Sequence, residues 1–226
     1  MVTCLFQVLS RSKRFSIYVP DLVFFGGSVT SSSDYSASFQ AHCLAKALNK
    51  LRVQKYALVG FSYGGMVAFK MAELYPEVVS HLVISGAVSI VTDTISGEIT
   101  AGLDISSFKK LLLPTNVKGL KAMFSVATHK QWWLPNCLYR DYLEVMFTNR
   151  EQRTELLDAL VESNKDTTIP NFTQKIQLQF GKQASYQGIK MAGHLVHLER
   201  PCIYNRLLKQ FLKASFPQNN DHHQQQ

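Results

Sequence analysis

Apolar residues in the first ninety positions follow two rhythms in turn. Phe15 to Val19, FSIYV, is a short run of β-branched and aromatic residues closed by Pro20-Asp21, which predicts a buried strand. A loop rich in glycine and serine follows from Gly26 to Ser33. Cys43, Leu44, Ala47, Leu48 and Leu51 then recur at helical spacing. KYALVG, Lys55 to Gly60, predicts a second buried strand. From Tyr63 to Tyr75 the spacing predicts a helix with Val67, Met71 and Leu74 on one face, stopped by Pro76. SHLVISGA, Ser80 to Ala87, predicts a third strand. Strands alternating with helices over so short a span predict a parallel sheet covered on both faces.

From Val88 to Pro170 the pattern becomes mainly helical, with aromatics at Phe108, Phe124, Trp132, Trp133, Tyr139, Tyr142 and Phe147. This reads as a helical subdomain inserted into the α/β unit. Beyond it lie two strand-like runs, KIQLQF (Lys175 to Phe180) and SYQGIKMAGH (Ser185 to His194), then a closing helix from Cys202 to Ala214. The expected organisation is residues 1–87 as the first part of the core, 88–170 as a helical cap, 171–215 as the rest of the core, and 216–226 as a disordered tail. No internal repeat is present.

Composition narrows the function classes. The 226 residues are 46% hydrophobic and 18% charged, the balance of a globular chain. The net charge of +8 raises nucleic acid as a partner, but the basic residues are scattered and the densest groups are Arg11–Arg14 and Lys109–Lys110. Without a basic tract or an aromatic-interleaved basic face, no nucleic-acid partner is expected. Cys4, Cys43, Cys137 and Cys202 lie far apart with no paired spacing, so reduced thiols are expected rather than a zinc site or disulfide framework. No apolar run reaches the roughly 20 residues of a membrane span. The opening MVTCLFQVLSRSKRF reads as an amphipathic helix rather than a secretion signal, and a cytoplasmic location is the expectation. His222 and His223 in the tail are poor metal ligands, and neither a metal nor a cofactor is expected.

The candidate chemistry sits in LVGFSYGGM, Leu58 to Met66. Gly60-Phe61-Ser62-Tyr63-Gly64 fits G-x-S-x-G between a predicted strand and a predicted helix, the context of a nucleophile elbow. On so tight a turn the serine backbone is strained, and side chains at the flanking glycines are expected to collide with the adjoining strand and helix. The turn lifts the Ser62 hydroxyl out of the sheet, and the Tyr63 amide then opens a helix, where it can stabilise an oxyanion. The competing reading is a glycine-rich turn that merely connects strand and helix, or one that binds phosphate, and no G-x-G-x-x-G or Walker pattern supports the phosphate version. The matching base is expected late in the chain. MAGHLVHLERP supplies His194 after the strand-like YQGIK, with Gly193 permitting a tight turn, and His197 three residues on is the competitor. His42, His81 and His129 have no comparable context.

YVPDLVFFGGS, YALVGFSYGGMVAFKMAELYPE and AGHLVHLERP together resemble the α/β-hydrolase fold family, near its plant serine-hydrolase members with a helical cap. The resemblance implies a mostly parallel sheet flanked by helices with an inserted helical cap. It also implies Ser62 as nucleophile, His194 as base, the Tyr63 N–H as oxyanion donor, and a small apolar acyl or ester substrate. Epoxide hydrolases share the fold but place an aspartate at the elbow.

Two departures follow from the same resemblance. The family's His-Gly oxyanion motif, upstream of the strand ending in VPD, has no counterpart here, which implies an incomplete sheet with its first strands missing. The family's acid follows the strand matching KIQLQF, but here GKQAS leads directly into the next run. Parallel neighbours need a crossover of roughly a dozen residues, so either the two runs form a hairpin or KIQLQF has left its family position. Asp93 is the candidate substitute acid, with Asp166, Asp141 and Glu144 as poorer ones. The alternative to an active hydrolase is a truncated or spliced, catalytically impaired chain that binds ligand or does not fold stably.

Overall fold

The computed structural model describes residues 15–87, 91–92, 107–131, 133–162, 175–177 and 185–216. Helix α1 (Ala37–Lys50) begins where the Ser36 hydroxyl accepts the Phe39 N–H at 3.1 Å, which satisfies one of the amides that no helical carbonyl can reach. Strand β1 (Tyr56–Phe61), helix α2 (Tyr63–Leu74) and strand β2 (Val79–Ser85) follow, close to the predicted bounds. The two strands are parallel and in register from Ala57 opposite His81 to Phe61 opposite Ser85.

Alternation along β2 assigns its two faces. Leu82 and Ile84 pack with Ala41 of α1 and Ala68, Phe69, Met71 and Ala72 of α2. Val83 faces the other way, onto Tyr204, Leu208 and Leu212 of the closing helix α8 (Pro201–Ser215). The sheet is thus a middle layer between helices, as its apolar runs require. Leu82 is fully buried, so Leu82→Ala is expected to destabilise the chain by about 2–5 kcal/mol. Urea unfolding should show a lower midpoint at constant slope.

Between β2 and β5 (Lys175–Gln177) runs the helical segment: α3 (Phe108–Leu112), α4 (Val117–Ala127), α5 (Asn136–Met146) and α6 (Arg150–Leu160). It has its own core of Leu120, Phe124 and Tyr139. A short parallel pair, β3 (Val91–Thr92) with β4 (Val161–Glu162), joins its approaches. Helix α7 (Val196–Glu199) precedes α8.

Three expectations need correction. Residues 15–19 are not a strand: they join no ladder, and among the described residues β1 has a paired neighbour only on its β2 side. Phe15 and Ile17 instead reach the α8 core while Ser16 and Tyr18 are exposed, so the run keeps a strand's alternation without its partner. YQGIK likewise forms no ladder, although Ile189 packs into the same core. Among the described residues the two runs therefore form no hairpin. Lys175–Gln177 lies beside β2, parallel to it, with Ile176 opposite Leu82. The described sheet thus has three strands in the order β1-β2-β5. The amphipathic N-terminal stretch and the polar tail fall outside the described residues.

Candidate functional site

The carboxyl ends of β1 and β2 lie side by side, where ligands collect in open parallel sheets. One residue past β1, Ser62 adopts φ +51°, ψ −127°, in the positive-φ region that non-glycine residues rarely enter. Its N–H donates to the Ser85 carbonyl at 3.0 Å, and its carbonyl accepts the Gly65 N–H at 2.8 Å, so strand and helix both fix the turn.

The glycines that make this turn are not the pair the motif names. A Cβ on Gly60 would sit 2.6 Å from Gly65 Cα and 2.7 Å from the Gly64 carbonyl oxygen. A Cβ on Gly65 would sit 2.6 Å from the Ala87 methyl. At Gly64 it would meet nothing within 4 Å. The strand therefore crosses the helix through Gly60 and Gly65, and the expected steric role of Gly64 is corrected.

His194 Nε2 lies 3.1 Å from Ser62 Oγ, across 132 residues of chain. Gly86 makes room for the imidazole: it has φ +59°, and a Cβ there would lie 2.9 Å from His194 Nδ1. Phe61 fills the space between the two late histidines, its ring centroid 4.9 Å from that of His194 and 4.3 Å from that of His197. The His194 ring has an exposed face, but the atoms crowded around it desolvate it enough to pull its pKa below the ordinary histidine value. His197 is lowered by desolvation and then by the neighbouring His194. It lies in α7, and its Nδ1 is buried without a hydrogen-bond partner among the described residues. The structure thus brings His194, not His197, to Ser62.

Tyr63 is the first residue of α2, so its N–H has no intrahelical carbonyl to bond. Its phenol is buried, and that desolvation raises its pKa against a smaller opposing effect of Gln40. Above it the Phe25 ring stacks at 5.8 Å, and the Arg153 guanidinium from α6 lies 4.8 Å from the Phe25 centroid. Gln40, fully buried, secures the Phe25 loop by accepting the Val23 N–H at 2.9 Å and donating to the Val23 carbonyl at 3.0 Å. The sequence reading missed Gln40. Its signal was a polar residue on the apolar stripe of α1, three and four positions before Cys43 and Leu44.

No carboxylate hydrogen-bonds His194 among the described residues. Asp141 and Glu144 are exposed on α5. Asp93 and Asp166 lie outside the described residues. No group of His, Cys, Asp and Glu suited to a metal ion occurs among the described residues, and no helix is long and apolar enough to cross a membrane.

A model of the alpha/beta hydrolase fold family matches residues 1–111. An uncharacterized protein of Mycobacterium tuberculosis is 32% identical over 82 residues, 36% of this chain but only 24% of that protein. The match thus spans about a quarter of the length of that first group of relatives. A 2-hydroxy-6-oxononadienedioate/2-hydroxy-6-oxononatrienedioate hydrolase of a Pseudomonas species is 25% identical over 210 residues, 81% of this chain and 71% of that one. Among solved structures, a meta-cleavage product hydrolase of Pseudomonas fluorescens superposes with a TM-score of 0.73 at 18% identity, covering 95% of this chain and 85% of the other. A serine hydrolase from the polyaromatic-hydrocarbon-degrading bacterium Cycloclasticus zankles gives a TM-score of 0.70 at 16% identity, covering 96% and 85%.

Proposed function

The chain has the α/β-hydrolase fold, and from that premise we propose that it is a serine hydrolase acting on a small apolar ester or related acyl substrate. The observation that carries this reading is the 3.1 Å contact between His194 Nε2 and the hydroxyl of a strained Ser62. Ser62 Oγ attacks the acyl carbon while His194 Nε2 takes its proton, and the Tyr63 N–H receives the developing oxyanion. The imidazolium returns that proton to the leaving oxygen, giving an acyl-enzyme and an alcohol. Water, deprotonated by His194, then attacks the acyl-enzyme and releases the acid. No cofactor takes part in this scheme. The helices between Phe108 and Leu160 act as the cap over the acyl pocket, in keeping with Phe25 and Arg153 meeting above Tyr63.

That no carboxylate among the described residues bonds His194 favours a second reading, a ligand-binding chain of the same fold with little turnover. Loss of the acid costs about 10⁴ in rate in the serine-protease template. Turnover of p-nitrophenyl esters of increasing acyl length separates the two readings. A 2-hydroxy-6-oxo-dienoate of the kind the Pseudomonas relative is named for makes a second substrate arm. Ser62-dependent turnover on either arm supports the hydrolase, and binding without Ser62-dependent turnover supports the second reading.

The lowered pKa of His194 fixes a sign for pH dependence. Imidazole accepts the serine proton only when neutral, so activity is lost as pH falls through the folded-state value. Because burial pulls that value down, the acid limb of the kcat/KM profile is expected below the ordinary histidine range. A limb above that range would contradict the assignment of His194 as the base.

A further inference from the structure

With no carboxylate on its ring among the described residues, His194 is held from elsewhere. Gly193 donates its N–H to Glu199 Oε2 at 2.6 Å. The other oxygen, Glu199 Oε1, accepts the His129 N–H at 2.9 Å and the Lys130 N–H at 3.1 Å. On the far side of His194, the Leu195 N–H donates to the Ala127 carbonyl at 3.0 Å, and the Leu195 side chain packs on the Leu120–Phe124–Tyr139 core of the helical segment. The backbones also touch: a Cβ on Gly193 would lie 2.8 Å from the Ala127 carbonyl oxygen and the His129 nitrogen. Both residues flanking the imidazole are therefore bound to the turn that ends α4.

We propose that Glu199 is the positioning residue of this site, its carboxylate bridging the His194 loop to the 127–130 turn so that Nε2 stays within reach of Ser62. This rests on the serine-hydrolase reading. The three N–H donors share two oxygens, which only a carboxylate can satisfy together. An amide of the same shape presents its NH₂ to at least one of those donors, opposing donor to donor. The device also couples the helical segment to the chemistry. A shift of α4 that displaces residues 127–130 carries Gly193 and Leu195 with it, and the imidazole between them.

The test compares wild type with Glu199→Gln and Glu199→Ala, using p-nitrophenyl ester turnover and labelling by a fluorophosphonate, each scaled to folded protein. Glu199→Gln is expected to lower kcat and the labelling rate about 10- to 10²-fold, the size of a small misplacement of a reacting group, with KM unchanged. Amide exchange at Gly193, His129 and Lys130 should speed up in both variants. A residue that served stability alone would lower the fraction folded and leave kcat per folded molecule intact, and that result overturns the proposal. Wild-type kcat and labelling in Glu199→Gln also overturn it while the hydrolase reading stands. A folded wild type without Ser62-dependent labelling removes the hydrolase reading, and the proposal with it.

Discussion

Replacing Ser62 with alanine is expected to abolish covalent labelling by a fluorophosphonate and to cut turnover to the residual rate that substrate binding and the oxyanion donor alone supply. The probe reports the step that depends least on substrate identity: attack of an activated oxygen on an electrophilic centre, with fluoride leaving. Three features support Ser62 as the proposed reacting group. It follows β1 in a positive-φ backbone conformation, His194 Nε2 stands at hydrogen-bonding distance, and a helix begins at the next residue. In subtilisin, loss of the serine alone costs about 10⁶ in kcat. Here the fall should be smaller, because a histidine with no carboxylate partner among the described residues starts from a slower wild type. Labelling that persists in Ser62→Ala would place the nucleophile elsewhere and end the reading.

Gly60→Ala should unfold or badly distort the site, whereas Gly64→Ala should be nearly harmless. Both positions belong to the same five-residue motif, so a purely motif-based view expects equal damage. The packing does not. A methyl at 60 meets the backbone of Gly64 and Gly65 at 2.6–2.9 Å, and backbone cannot rotate away as a side chain can. The first turn of α2 must move off the strand, at a cost of about 1–3 kcal/mol or more, and Ser62 moves with it. A methyl at 64 meets nothing and gains helix propensity, about 0.8–1 kcal/mol. Urea unfolding and labelling rates on the two variants check both statements. Equal stability would show that strand and helix are not in contact through Gly60.

Much of this was legible in the sequence because the governing signals are local. Strand β1, helix α2, strand β2 and helix α8 each show their period within a dozen residues, and the apolar stripe on α1 does the same. The serine and its histidine were legible for a different reason, since each sits in a segment with a recognisable pattern on both sides. What depends on partners was not legible. FSIYV and YQGIK have the composition of strands, but a strand exists only where a neighbour offers a ladder, and neither run has one in the described sheet. The steric burden falling on Gly65 rather than Gly64 depends on where Ala87 lies, 22 positions later in the chain. Glu199 drew no assignment from the sequence. Its three amide contacts come from Gly193, His129 and Lys130, two of them about seventy residues away. Gln40 could have been found from its place on a buried face.

The conformation of Ser62 also bears on the choice between an active enzyme and an inert relative. A non-glycine residue held in such a region costs about 1–3 kcal/mol, a noticeable share of the 5–15 kcal/mol that separates a typical folded domain from its unfolded chain. Glycine would hold the same backbone without that strain, so at position 62 thermodynamic comfort and chemistry pull in opposite directions. A protein with no use for the hydroxyl would be sturdier without it, so a serine held in this conformation favours the proposed hydrolase over the inert relative.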